Sequence, residues 1–190
     1  MKKLLRISLW SVIGLLALIG AGTTIFLTAF DGVESLLRGT LETKVHRAFY
    51  RTDSVTKVKV YRLGELVEES PAPTFPILPY GSVAKITGTT EIAGEELNQF
   101  KSLWRGMMPT YYAKSLCHAP VYAVEFFENE RRVFRTSICW HCHNFYVEAF
   151  PGAATWYGFD AESPGAQKVL KFFESQLPLI PVPPTPPASH

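Results

Sequence analysis

Val121-Tyr122-Ala123-Val124-Glu125-Phe126-Phe127-Glu128-Asn129-Glu130-Arg131-Arg132-Val133-Phe134-Arg135-Thr136-Ser137-Ile138-Cys139-Trp140 is the stretch whose reading decides the fold. Val121 to Phe127 and Arg132 to Trp140 are rich in β-branched and aromatic residues, which suit a pleated, half-buried surface. The polar Glu128 to Arg131 separates them, so the pair reads as an antiparallel hairpin. A third run, Asn144 to Phe150, follows after a few residues and predicts a three-strand meander.

Working outward toward the N-terminus, Val83 to Ile92 reads as a strand. Val55 to Val67 does too, with Val58 and Val60 flanking Lys59. Pro71, Pro73, Pro76 and Pro79 break the chain between these two runs and predict a loop. Gly94 to Met107 places Leu97, Phe100, Leu103 and Trp104 on one helical face, with Glu95 and Glu96 in the first turn, where carboxylates suit the helix dipole. A second helix begins at the N-cap Ser163 with Pro164 at its first position, carries Val169, Leu170, Phe173 and Leu177 as its stripe, and stops before Pro178. The order implies a single α+β domain over residues 53–177, with a mainly antiparallel sheet and two helices.

The ends carry a second message. Lys2, Lys3 and Arg6 precede Ile7 to Phe30, which holds no charged residue. A bilayer core needs roughly 20 helical residues, so this run is expected to be an uncleaved transmembrane helix. The basic residues before it predict a cytoplasmic N-terminus by the positive-inside bias. The expected organisation is a membrane anchor over 1–31, a stalk over 32–52 built on Val33, Leu36, Leu37 and Leu41, the exported domain, and a Pro-rich tail over 178–190. That predicts a single-pass protein of the cytoplasmic (inner) membrane whose domain faces the periplasm or cell exterior, with the bilayer as one partner and another protein as a second. Without Lys2, Lys3 and Arg6, 16 of the 19 Lys and Arg remain against 17 Asp and Glu. Nucleic acid is therefore not an expected partner, since phosphate binding needs a basic excess.

Chemistry concentrates in Cys139-Trp140-His141-Cys142-His143, and the remaining cysteine, Cys117, is followed by His118. A hairpin turning at Asn129 and Glu130 pairs residues whose numbers sum to about 259, which sets Cys117 opposite Cys142. Four chemistries use this cluster. Cys139, Cys142 and His143 have the spacing of a c-type haem attachment, with His118 or His46 as the second axial ligand. Cys139 and Cys142 have the spacing of a thiol-disulfide exchanger, although that chemistry places the first Cys at a helix N-terminus. Cys117, Cys139 and Cys142 with His118 or His143 make up a Cys3His zinc set. In an oxidising compartment, two of the three thiols form a disulfide, Cys117 with Cys139 or Cys142 being the cross-hairpin choice.

The pattern Cys117-His118-Ala119-Pro120, a hairpin, then Ile138-Cys139-Trp140-His141-Cys142 resembles a group of small exported or membrane-anchored bacterial proteins without an established activity. The resemblance covers about thirty residues and implies that the three cysteines belong together.

No catalytic constellation stands out. Ser115 and Ser137 lack a nucleophile-elbow context, Glu125 and Glu148 read as solvated strand residues, and Gly-rich phosphate loops are absent. Trp140, Phe145, Tyr146, Phe150, Trp156 and Tyr157 read as core and shielding around the cluster. The sequence therefore suggests a membrane-anchored extracytoplasmic binding or assembly domain with a structural Cys cluster, rather than an enzyme. A metal-binding or redox protein, including one carrying haem c, is the alternative.

Overall fold

The computed structural model describes residues 32–68, 70–77, 81–110, 117–150 and 153–179. They form α1 (residues 32–50), β1 (Lys57–Val67), β2 (Thr74–Ile77), β3 (Ser82–Ala93), α2 (Gly94–Arg105), β4 (Tyr122–Glu128), β5 (Arg131–Cys139), β6 (Asn144–Phe150), β7 (Ala153–Gly158) and α3 (Pro164–Gln176). The strands make one curled antiparallel sheet in the order β2-β3-β1-β4-β5-β6-β7. The chain divides into two compact units at Thr40 and Leu41. In the first, residues 32–40 are helical and expose Val33 and Leu36.

Alternation along the strands separates two faces of the sheet. Val58, Val60, Tyr122, Val124, Phe126, Phe134, Ile138 and Phe145 point to one face and are buried there. The second half of α1 covers this face: Phe49 stacks on Trp104 of α2 with centroids 4.6 Å apart and lies 5.2 Å from Phe145. Phe100 of α2 touches Phe126 at 6.0 Å and Phe173 of α3 at 5.8 Å, which ties the helices to each other and to the sheet. On the opposite face, curling brings Leu63, Phe75, Ile77, Ala84 and Ala123 into a smaller core against Tyr61 and Ile86.

Three local features shape this frame. Ser163 accepts the backbone N–H of Ala166 and so caps α3. Gly165 lies against Gly106, and a Cβ on it would stand 1.8 Å from the Gly106 carbonyl oxygen, so α2 and α3 meet backbone to backbone. Register shifts in β1 fall between Arg62 and Leu66, around Gly64, where a Cβ would meet Thr87 Cγ2 at 2.8 Å.

The expected fold class needs correction. The described residues form an α+β fold with three helices, where two were expected beyond the anchor, and among them no helix is long and apolar enough to cross a membrane. Ile7 to Phe30, on which the anchor was placed, lies outside the described residues, as do Phe150's side chain and the tail from 180 onward. Within the expected stalk, Leu41, Val45, Ala48 and Phe49 repeat at helical spacing and are buried. Two strands also lie where none is expected. β2 occupies the Pro-rich segment because it is an edge strand, where Pro76 needs no ladder donor on its outer side. β7 extends the meander by pairing with β6.

Candidate functional site

The β4–β5 hairpin turns at Asn129 and Glu130, with Asn129 at φ 56°, a left-handed conformation that Asn tolerates. Glu128 pairs with Arg131, but a bulge between Phe126 and Phe127 shifts the register by one, so Tyr122 pairs with Ile138 and Ala123 with Ser137. The expected sum of 259 therefore holds only at the turn and becomes 260 beyond the bulge. β5 passes to β6 through the four residues Trp140 to His143, and Cys139 pairs with Asn144 across that turn. His143 closes it at φ 55°.

Cys117, arriving from the chain before β4, forms a disulfide with Cys142, their Cα atoms 5.8 Å apart. Cys139 is a buried free thiol whose Sγ accepts the Cys142 backbone N–H at 3.1 Å. By strand alternation, Ser137, Cys139 and Asn144 lie on the face opposite the helices. His118 is buried among them. Its Nδ1 is 2.8 Å from Asn144 Oδ1 and its Nε2 is 2.7 Å from Ser137 Oγ. Asn144 Nδ2 donates to the Cys117 carbonyl at 2.7 Å, which leaves Oδ1 as the acceptor for His118. This pattern assigns the proton to Nδ1 and makes Nε2 the acceptor for the Ser137 hydroxyl. Trp156 closes over the ring edge at 5.0 Å. Burial holds the imidazole pKa below its ordinary value, against a smaller upward pull from the Asn144 hydrogen bond, so the neutral form is favoured.

Of the five expected ligand residues, Cys117, Cys139 and Cys142 lie together, but not as three free thiols. Cys117 and Cys142 are joined to each other, which removes two thiolates from a Cys3His zinc site. Both nitrogens of His118 are engaged by protein groups, so no lone pair faces a metal. His143 is only partly buried and sits on the turn. Among the described residues, no three His, Cys, Asp or Glu side chains stand together in a way that could hold a metal ion. Haem attachment asks for Cys139 and Cys142 as two available thiols, whereas one is buried and the other is in the disulfide. The Cys139 to Cys142 segment lies between strands and not at a helix N-terminus, the setting a thiol-disulfide exchanger requires. His46 lies on α1 with its ring 5.4 Å from Tyr50.

Ser137, His118 and Asn144 follow the hydrogen-bond order of a hydrolytic triad, with Asn144, readable from the sequence only as the start of a strand, in the orienting position. All three are buried, with 3%, 5% and 0% of their surfaces exposed. The cavity that Ser137 helps to line is about 20 Å³, close to the space of a single water and too small for a substrate. The triplet thus acts as a satisfied buried network. Trp140 lies on the helix face, 5.9 Å from Phe173 and 5.7 Å from Phe159, while Tyr146 and Trp156 pack at 4.7 Å on the cluster's face. Glu125 and Glu148, expected as solvated strand residues, are half-buried and partnered: Glu125 accepts from Tyr61 and Arg132, and Glu148 pairs with Arg135.

Comparison with protein-family models, curated proteins and solved structures finds no match for this chain.

Proposed function

We propose that the chain is a binding or assembly domain of an oxidising, extracytoplasmic compartment, in which the three-cysteine cluster serves structure rather than catalysis. The observation that carries this reading is the Cys117–Cys142 disulfide, which joins the segment entering β4 to the turn leaving β5. Such bonds persist where thiols are not kept reduced. Two further features support the same role. Cys139 is fully buried beneath the bridge, and the His118 network uses its hydrogen-bonding capacity within the protein.

Peptide mapping of the protein isolated under non-reducing conditions tests the proposal. The expected result is a Cys117–Cys142 linkage, with Cys139 alkylated only after denaturation. A Cys139–Cys142 linkage together with insulin reduction above that of a Cys142→Ser control would turn the reading toward redox chemistry, and three free thiols would end it.

A further inference from the structure

A cleft of about 320 Å³ lies between the second half of α1 and the tip of the β4–β5 hairpin. Its floor is apolar, formed by Ala48, Val55, Phe126 and Phe134. Lys44, Arg47, Arg131 and Arg132 line it, with Glu128 as the single carboxylate among the lining residues; Lys44 Nζ donates to the Glu148 carbonyl, so Arg47 and Arg131, the partners of Glu128, are the cations of the rim. From this geometry we infer that the cleft is a binding site for a small organic carboxylate with a compact apolar body. The inference deepens the binding role proposed above by assigning it a place and a ligand class.

Glu128 displays the chemistry that the rim prefers. Its carboxylate accepts hydrogen bonds from Arg47 and Ser54 on one oxygen and from Arg131 on the other, the last at 2.8 Å. These hydrogen bonds hold its pKa down at about 2, so it stays ionised throughout the working range. Arg132 instead donates to Glu125 at 2.7 Å, on the sheet face opposite the helices, so its guanidinium turns away from the cleft. Each guanidinium presents five N–H donors in a planar fork suited to carboxylates. A ligand carboxylate beside Glu128 would be held by the N–H groups of Arg47 and Arg131 that are not donated to Glu128. The apolar floor then distinguishes an organic acid from a bare anion, because a hydrated inorganic ion gains nothing from Phe126, Phe134 and Val55. The volume lies at the small end of ligand pockets and holds a single-ring or short branched acid.

The charge balance adds a second consequence. Glu128 occupies part of the cationic rim and competes with any incoming anion, so removing its charge strengthens ligand binding. A network serving stability alone gives no such gain.

The full chain, titrated with 3-phenylpropionate and followed by backbone amide NMR shifts, tests this. Saturable shifts are expected around Arg47 and along Arg131 to Phe134. 3-Phenylpropionamide and inorganic phosphate bind about tenfold more weakly or worse, one lacking the charge and the other the apolar body. The Arg47→Gln, Arg131→Gln double variant loses about tenfold in affinity, Glu128→Gln gains about threefold, and Lys171→Gln on the exposed side of α3 changes nothing. No saturation by about 10 mM, equal binding of acid and amide, phosphate binding as well as the acid, or no gain in Glu128→Gln would each overturn the inference. Mapping the Cys117–Cys142 linkage in the same samples separates the two proposals. Binding without the linkage removes the staple and keeps the cleft, and the linkage without binding does the reverse.

Discussion

At Cys142 two roles meet, since it closes the bridge to Cys117 and its N–H rests on Cys139 Sγ. The bridge spans 25 residues of chain, and loop-closure entropy for that length gives about 3–4 kcal/mol of stabilisation through the unfolded state. Cys117→Ala with Cys142→Ala is therefore expected to lose about 3 kcal/mol in urea unfolding, while Cys139→Ala, which removes a buried thiol and the weak acceptor of the Cys142 N–H, loses less. His118 supplies a pH signature. Its folded pKa lies below the ordinary 6.5, so between the two values the unfolded chain binds the proton and the folded chain does not. Stability due to this group is fully present above about pH 6.5, falls as pH drops toward the folded pKa, and levels off below it. Urea midpoints from pH 7.5 to pH 5 are expected to show this slope in the native chain and not in His118→Gln. An equal slope in both would assign the effect elsewhere. The closeness of Cys117 to Cys142 was legible in the sequence because hairpin pairing brings their numbers together. The partners of His118 were not, because Ser137 and Asn144 share its face only in a register that the Phe126 bulge shifts by one residue.

Among the elements, those with strong local signals were readable. α3 begins at Ser163 and Pro164 as its cap chemistry demands, and the hairpin turns where the polar residues interrupt two β-rich runs. Ser163→Ala is expected to cost about 1 kcal/mol, measured as a shift in the thermal midpoint. The Gly106–Gly165 approach of α2 and α3 left no such signal, because an isolated Gly near a helix end reads as an ordinary cap or turn residue. With a Cβ placed 1.8 Å from a backbone oxygen, Gly165→Ala must push the two helices apart. The expected cost is about 2 kcal/mol, despite the better helix propensity of Ala, and the same change at the exposed Gly39, where nothing lies within 4 Å, is expected to be neutral or stabilising. β2 and β7 escaped notice for a different reason. A four-residue strand containing Pro76 has little β signal of its own, and both strands are fixed by the neighbour they extend, β3 in one case and β6 in the other.

For the molecule as a whole, the decisive question is where the folded unit begins. The sequence pattern starts it at residue 53, because Val33, Leu36, Leu37 and Leu41 share one helical spacing that reads as a stalk and the strand pattern begins only at Val55. In the structure the larger of the two compact units starts at Leu41. From there Leu41, Val45, Ala48 and Phe49 are buried, Trp104 donates its indole N–H to the Ala48 carbonyl at 3.0 Å, and Arg105 donates to Thr52 at 3.0 Å. Burying a Val, Leu or Phe side chain contributes about 1.5–3 kcal/mol, so these residues together supply an amount comparable with the whole 5–15 kcal/mol of a typical domain. Removing them also strips the cover from Trp104, Phe134 and Phe145 and leaves the indole N–H without its partner. Two truncations separate the alternatives. A chain starting at Leu41 is expected to keep a cooperative thermal transition and dispersed NMR spectrum, with Phe49→Ala in that background costing about 3–5 kcal/mol. A chain starting at Asp53 is expected to lose the cooperative transition or to expose apolar surface that binds a hydrophobic dye. Equal transitions in the two chains would show that the second half of α1 is an attachment to the sheet and not a layer of its core.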